Sequence, residues 1–279
     1  MTINELIGIV PNASEHGTNI DHMLEFCHWF MAALFVGWIC YFFYTVWRFN
    51  AKRNPKANYH GVTSKASLHL EFSVVLLEAV LLLGFALPLW GDRVSPESWP
   101  DKAEALRIRC IGEQFKWSFH YAGPDGVFGR SDWWHVSGAS NEAAIGLDTT
   151  DPAAADDIVS VGELHLAQYR PTVIEITSKD VIHSLSLHPM RMCQDAIPGS
   201  MIPMWFRPVK NGEFEVVCAQ LCGANHYAMK ANMITQTQAE FDAWQKDILN
   251  LRKPAAPAPA PAPVAAAASG FQQLADTAK

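Results

Sequence analysis

Two long apolar runs open the chain. No Asp, Glu, Lys or Arg occurs from Phe26 through Trp47, and Phe72 through Trp90 contains only Glu78. At 1.5 Å per residue these runs reach about 33 and about 28 Å, which matches a hydrocarbon core of about 30 Å. The pattern predicts two membrane spans, at about 24–48 and 69–90, with Trp29 and Trp47 placed as interfacial anchors. From Glu104 the period shortens. Ala105–Gly112, Gln114–Tyr121, Glu163–Tyr169, Thr172–Thr177, His183–Leu187, Met204–Phe206 and Glu213–Cys218 read as strands separated by Gly, Pro, Asp and Asn turns. Many short strands at close spacing predict a β-sandwich or barrel over 91–253. Residues 123–162 lack periodicity and read as an acidic insertion between strands. Thr237 to Leu251 places Phe241, Trp244, Ile248 and Leu251 at helical spacing behind a Thr-x-x-Glu start, so it reads as a helix. The Pro/Ala string that follows opens a tail, 254–279, that builds no core.

Charge sets the topology. Arg48, Lys52, Arg53, Lys56 and Lys65 cluster around the connection between the runs with no acid among them, and the positive-inside rule keeps that loop, 49–68, in the cytoplasm. Residues 1–22 carry Glu5, Glu15 and Asp21 but no Lys or Arg, so the basic region of a secretion signal is missing and the segment is expected on the exported side. The reading is a multi-pass protein of the bacterial inner membrane with its β-domain in the periplasm. At 49% hydrophobic and 18% charged residues the chain is too apolar for disorder. Of its net charge of −7, much is concentrated where Asp125, Asp132, Glu142, Asp148, Asp151, Asp156, Asp157 and Glu163 face one base, Arg130. That field repels nucleic acid and favours a cationic protein partner, which makes Asp125, Asp132, Asp148, Asp151, Asp156 and Asp157 candidate docking residues beside the plainer reading of a solvated loop.

Cysteine placement narrows the chemistry. Cys27 and Cys40 fall in the first apolar run and read as small hydrophobes; Cys110 lies in a strand and Cys193 in a loop, both as bystanders. Cys218-Ala-Gln-Leu-Cys222-Gly-Ala-Asn-His226-Tyr-Ala-Met229 differs, holding two thiols, an imidazole and a thioether within twelve residues. Soft donors select copper or zinc, and the thioether favours copper, which uses a weak axial Met in electron-transfer sites. Asp180-Val-Ile-His183-Ser184 offers a second imidazole upstream. A mononuclear copper centre needs one Cys, so two point to a pair of metals sharing both sulfurs.

With these motifs, and with Asp195-Ala-Ile-Pro-Gly199 and Gly112-Glu-Gln-Phe-Lys-Trp117-Ser-Phe, the sequence resembles subunit II of haem-copper cytochrome c oxidases over approximately residues 20–250. The resemblance implies a two-helix transmembrane hairpin followed by an all-β, cupredoxin-like Greek-key sandwich holding the binuclear copper centre CuA. It implies that Cys218 and Cys222 bridge two copper ions, that His183 and His226 each bind one, and that Met229 and the backbone oxygen of Gln220 are weak axial ligands. It further implies partners: the haem-bearing subunit I, subunit III, the lipid bilayer and a cytochrome c-type electron donor. The family usually has Glu at position 220, whose carboxylate helps form a magnesium or manganese site against subunit I; Gln220 removes that carboxylate. Its electron-entry Trp is here Phe115, so Phe115, Trp117 and the Trp133-Trp134 pair are the entry candidates, with strand alternation placing Phe115 and Trp117 on one face.

Acids in the apolar runs are costly in hydrocarbon and mark paired or functional positions. Glu71 matches the family's Glu near the mouth of a proton path, and Glu78 stands two turns deeper as a second candidate. The implied function is electron entry into a respiratory oxidase that reduces dioxygen to water and pumps protons. Dioxygen reduction itself belongs to subunit I, so no catalytic residue is expected in this chain. Three alternatives share features of the sequence: a nitric-oxide-reducing relative with the same copper subunit, a quinol oxidase subunit, which would lack the cysteines, and a membrane-tethered copper-delivery protein. No Cys-x-x-Cys-His occurs, so no c-type haem attachment is expected.

Overall fold

The computed structural model describes residues 2–56, 59–61 and 63–251, and the Pro/Ala tail lies outside them. Among the described residues, two helices are long and apolar enough to cross a membrane, Gly17–Arg48 and Ala66–Val94. Both extend beyond the apolar runs, because helix geometry continues through their polar ends. The second is interrupted at Leu82–Ala86, where one turn is a π-helix, and it resumes over Leu87–Val94 with Pro88 directly after the wide turn.

Ten strands follow: β1 (Leu106–Glu113), β2 (Lys116–Tyr121), β3 (Ile158–Val161), β4 (Glu163–Ala167), β5 (Thr172–Ser178), β6 (His183–Leu187), β7 (Met192–Ala196), β8 (Ile202–Phe206), β9 (Gly212–Cys218) and β10 (Lys230–Gln236). They form two five-stranded sheets, ordered β3-β2-β1-β5-β8 and β4-β10-β9-β6-β7. β1 pairs in parallel with β5 and β10 with β4; the remaining pairs are antiparallel. This is a cupredoxin-like sandwich. Strand alternation drives it: β5 is buried at Thr172, Ile174, Ile176 and Ser178 and half-exposed between them. Trp117, Phe119, Tyr121, Leu164, Ile174, Phe206 and Val216 meet between the sheets, each large side chain contributing about 1.5–3 kcal/mol by leaving water.

Seven strands are legible in the sequence and three are not. The acidic segment 123–162 carries β3 and packs Ile145, Leu147, Ala154 and Val159 against Ile111 in a small core of its own, so it is folded rather than aperiodic. β7 lies where the sequence reads as loop. The expected C-terminal helix spans Gln238–Leu251. Its start is a reciprocal cap: Glu240 N donates to Thr237 Oγ1 at 3.3 Å, and Thr237 N donates to Glu240 Oε2 at 2.9 Å. Trp244 from this helix stacks on His165 with ring centroids 4.1 Å apart.

The β-domain is fastened to the first apolar helix by Arg191. Its Nε and Nη2 donate to the two Asp21 carboxylate oxygens at 2.6 and 3.0 Å, and Nη2 also reaches Val10 O at 2.7 Å.

Candidate metal centre

The Cys218–Met229 loop is the connection between β9 and β10, two hydrogen-bonded neighbours. Ladder pairing fixes both of its ends. Cys218 N donates to Met229 O at 3.1 Å, and Ala219 N to Ser184 O at 3.0 Å, which draws the start of β6 alongside. Loop and strand therefore bring together residues 35 positions apart in sequence.

Five donor side chains converge there. Cys218 Sγ and Cys222 Sγ are 3.9 Å apart, and both thiols are free. His183 Nδ1 lies 4.0 Å from Cys218 Sγ; His226 Nδ1 and Met229 Sδ lie 3.6 and 3.7 Å from Cys222 Sγ. The Gln220 carbonyl is 3.2 Å from Cys218 Sγ. His183, Cys218 and Cys222 place their ligand atoms within 4.8 Å of one another. His183, Cys218, Cys222 and Met229 are buried, while Gln220, Leu221 and Tyr227 on the loop's outer side are exposed.

A shell of hydrogen bonds fixes this arrangement. Asp180 Oδ1 is 2.8 Å from His183 Nε2, and Asp180 Oδ2 accepts from Gln114 N at 2.7 Å. Gln114 Nε2 in turn donates to the Cys222 carbonyl at 2.7 Å. Gln114 thus clamps the His183 segment and the cysteine loop from the turn between β1 and β2, a role that nothing but its place in the Gly112–Phe119 segment marks in the sequence. Burial alone would raise the Asp180 carboxyl, but hydrogen bonds from His183, Gln114 N and Val181 N outweigh it and hold the group below its ordinary value. Burial and the neighbouring Cys218 push the Cys222 thiol up to about 11. A metal must displace that proton to bind.

Two glycines let the backbone come this close. A Cβ on Gly112 would sit 3.1 Å from both His183 Cδ2 and Trp117 Cζ3, and one on Gly223, whose φ is +141°, would sit 2.8 Å from Gln114 Nε2 and 3.0 Å from Phe115 Cζ.

The structure separates the entry candidates. Trp117 is fully buried, its ring edge-on to His183 with centroids 5.9 Å apart. Phe115 occupies the two-residue turn before β2 and touches the cysteine loop at Gly223, so the same-face argument for Phe115 and Trp117 fails: alternation begins only at Lys116. Trp133 and Trp134 lie in a short 3-10 turn of the acidic segment, and Trp134 is 72% exposed.

The docking candidates need correction. Asp157 is fully buried, its Oδ2 2.7 Å from His120 Nε2 and accepting from Gly129 N at 2.8 Å, so it cannot meet a partner. Asp148 is paired with Arg130, which with the Thr150 hydrogen bonds holds its carboxyl far below the usual range. Asp151, Asp156 and Asp132 accept from backbone N–H groups of Ala153, Asp125 and Trp134. Only Asp125 of the six is an exposed residue. Glu71 and Glu78 are exposed on the second apolar helix, and Ser67 Oγ donates to Glu71 Oε1 at 2.9 Å.

Comparison with known proteins finds relatives of this chain. The family described as cytochrome C oxidase subunit II, periplasmic domain, matches residues 106–236. The alternative cytochrome c oxidase subunit 2 of Bradyrhizobium diazoefficiens is 33% identical over 226 residues, covering 81% of this chain and 78% of the relative. Cytochrome c oxidase subunit 2 of Cereibacter sphaeroides is 26% identical over 271 residues, covering 90% and 85%. Among solved structures, the periplasmic domain of subunit II of cytochrome oxidase from Bradyrhizobium japonicum is 26% identical, covers 52% of this chain and 94% of its own, and has a TM-score of 0.38.

Proposed function

From the premise that this chain belongs to the cytochrome c oxidase subunit II family, we propose that it is the electron-entry subunit of a respiratory haem-copper oxidase, taking electrons from a cytochrome c-type donor and passing them to haem in subunit I. The observation that carries this reading is two free, buried thiols 3.9 Å apart with an imidazole at each outer side. At that spacing the two thiols are not joined to each other, and as thiolates both would be available to soft metal ions. Cys218, Cys222, His183, His226, Met229 and the Gln220 carbonyl would hold two copper ions, which supply a one-electron couple shared across both metals. The chain's own residues hold the frame rigid. Strand pairing pins the loop ends, Asp180 orients His183, and Gln114 ties the cysteine loop to the β1–β2 turn, so little rearrangement accompanies a change of charge. Gln220 has no carboxylate to offer a magnesium or manganese ion at a subunit I interface.

The chain is membrane-anchored with an exported domain. In our reading both apolar helices span the bacterial inner membrane as a hairpin, residues 49–68 remain cytoplasmic, and the β-domain of 91–253 faces the periplasm. Phe115, beside the cysteine loop, and exposed Trp134 are the stronger entry-face candidates; Trp117 acts as core beneath His183. Glu71, reached by Ser67, is the stronger proton-path candidate, with Glu78 facing another subunit.

Electron paramagnetic resonance of the copper-loaded chain tests the centre. A seven-line spectrum from one electron shared by two coppers is expected. A four-line spectrum, or zinc in place of copper, overturns the reading and favours a copper-handling or structural role.

A further inference from the structure

At the junction of the two apolar helices with the β-domain lies a cavity of about 230 Å³ whose walls include His16, Ile20, Leu89, Asp92, Arg93 and Trp205. Two arginines border it and differ in their partners. Arg207 Nη1 reaches both Glu15 carboxylate oxygens, at 3.0 and 3.3 Å. Arg93 donates through Nη2 to the Trp205 carbonyl at 2.5 Å and lies over the Trp205 ring, 3.8 Å from its centroid. Among the described residues no carboxylate comes within the 4.0 Å of an ion pair with Arg93. Its Nε has no hydrogen-bond partner, and neither has either ring nitrogen of His16. Asp92 and Glu15 on the same walls act on Arg93 only at longer range, so its guanidinium and the Asp92 carboxylate stand side by side without a direct ion pair.

A half-buried guanidinium with an unfilled Nε donor and no direct ion pair leaves its planar fork open to a phosphate, and Asp92 nearby suits a cationic group on the same ligand. The walls are amphipathic in a matching sense. Ile20 and Leu89 belong to the apolar helices, whereas Asp92 is exposed at their exported ends. The volume is below the roughly 300–1,000 Å³ of a pocket that encloses a whole drug-sized ligand, so it suits a headgroup whose tails remain outside.

We propose that this cavity binds the phosphate of a zwitterionic phospholipid from the exported leaflet: Arg93 holds the phosphate, Asp92 faces the ethanolamine ammonium, and the acyl chains run down past Ile20 and Leu89. The inference rests on the exported placement of the β-domain given above and assigns the junction a ligand of its own.

The test uses the full chain in phosphatidylcholine nanodiscs containing a minor share of phosphatidylethanolamine, released into mild detergent and weighed by native mass spectrometry. The wild type is expected to retain one phosphatidylethanolamine. Arg93→Gln should lower retention by about tenfold, while Arg48→Gln, at the opposite end of the first helix, leaves it unchanged. Equal retention in the wild type and Arg93→Gln overturns the proposal, as does displacement of the lipid by inorganic phosphate. If Arg93→Gln fails to fold, a photo-crosslinking residue in place of Asn19, on the same cavity wall, decides within the assembled oxidase. A crosslink to lipid supports the site, and a crosslink to another subunit overturns it. Flotation of the chain with vesicles reads membrane anchoring separately.

Discussion

Asp180 Oδ1 lies 2.8 Å from His183 Nε2, which leaves Nδ1 as the ring nitrogen facing Cys218 Sγ. One carboxylate oxygen thus selects the imidazole tautomer while the other anchors Gln114. Replacing Asp180 with Ala frees the ring and strips Gln114 N of its acceptor. Copper affinity is expected to fall about 10- to 100-fold with the β-domain still folded, as measured by competitive copper titration alongside circular dichroism.

The two sulfur types should not be equivalent. Cys222 lies within 4 Å of Cys218, His226 and Met229 sulfur or nitrogen atoms, so it is central to the cluster. Cys222→Ser is expected to abolish the shared-electron resonance. Met229→Leu should keep that resonance and shift the reduction potential, since a thioether is a weak axial donor. Equal loss in both variants contradicts this ranking.

Gly223→Ala probes the packing of the loop on the β1–β2 turn. The added methyl meets Gln114 Nε2 at 2.8 Å and Phe115 Cζ at 3.0 Å, on a backbone with φ of +141°. Destabilisation of about 1–3 kcal/mol is expected by chemical denaturation of the metal-free chain.

Exposed and buried acids of the acidic segment should respond differently. Reduction by a cationic cytochrome is expected to slow as ionic strength rises, because screening shortens the reach of surface charge. Asp125→Asn should slow it at low salt and leave stability unchanged. Asp157→Asn should do the reverse, costing about 1–3 kcal/mol by disturbing its buried hydrogen bonds with His120 and Gly129 N. A rate without salt dependence removes the docking role.

His16 gives the exported junction a pH signature. Its folded pKa of about 4 lies below the ordinary value of 6.5, so the unfolded chain binds the proton more tightly. Stability from this group is fully present above about pH 6.5 and is lost as pH falls toward 4, by up to about 3 kcal/mol. Denaturation midpoints across that range, compared with His16→Gln, should show the loss in the wild type alone.

The proposed copper loop was legible because five of its candidate ligand positions sit in twelve contiguous residues whose soft chemistry has few other uses, and His183 lies near an Asp in a compact motif. The apolar helices announced themselves by uninterrupted hydropathy. β10 was harder: its buried face is Ala231, Met233 and Thr235, an alternation of weak hydrophobes. β7, Met192–Ala196, reads as loop because Gln194 and Asp195 interrupt its apolar residues and its pairing partner is β6. Asp157 looked like a surface charge because its neighbours in sequence are acids. Only its contact with His120, 37 residues away, reveals that it is internal. Gln114 hid for a related reason, since an amide acquires its role from two distant hydrogen bonds.

The wide turn at Leu82–Ala86 sets the angular phase of everything beyond it. Removing Gly84 would tighten that turn to ordinary pitch and swing the distal helix by about 100°. Glu78 would keep its bearing, whereas Arg93 would rotate off the Trp205 ring. A single-residue deletion at a glycine that has open space around it would thus act as a dial on how the helix pair meets the β-sandwich.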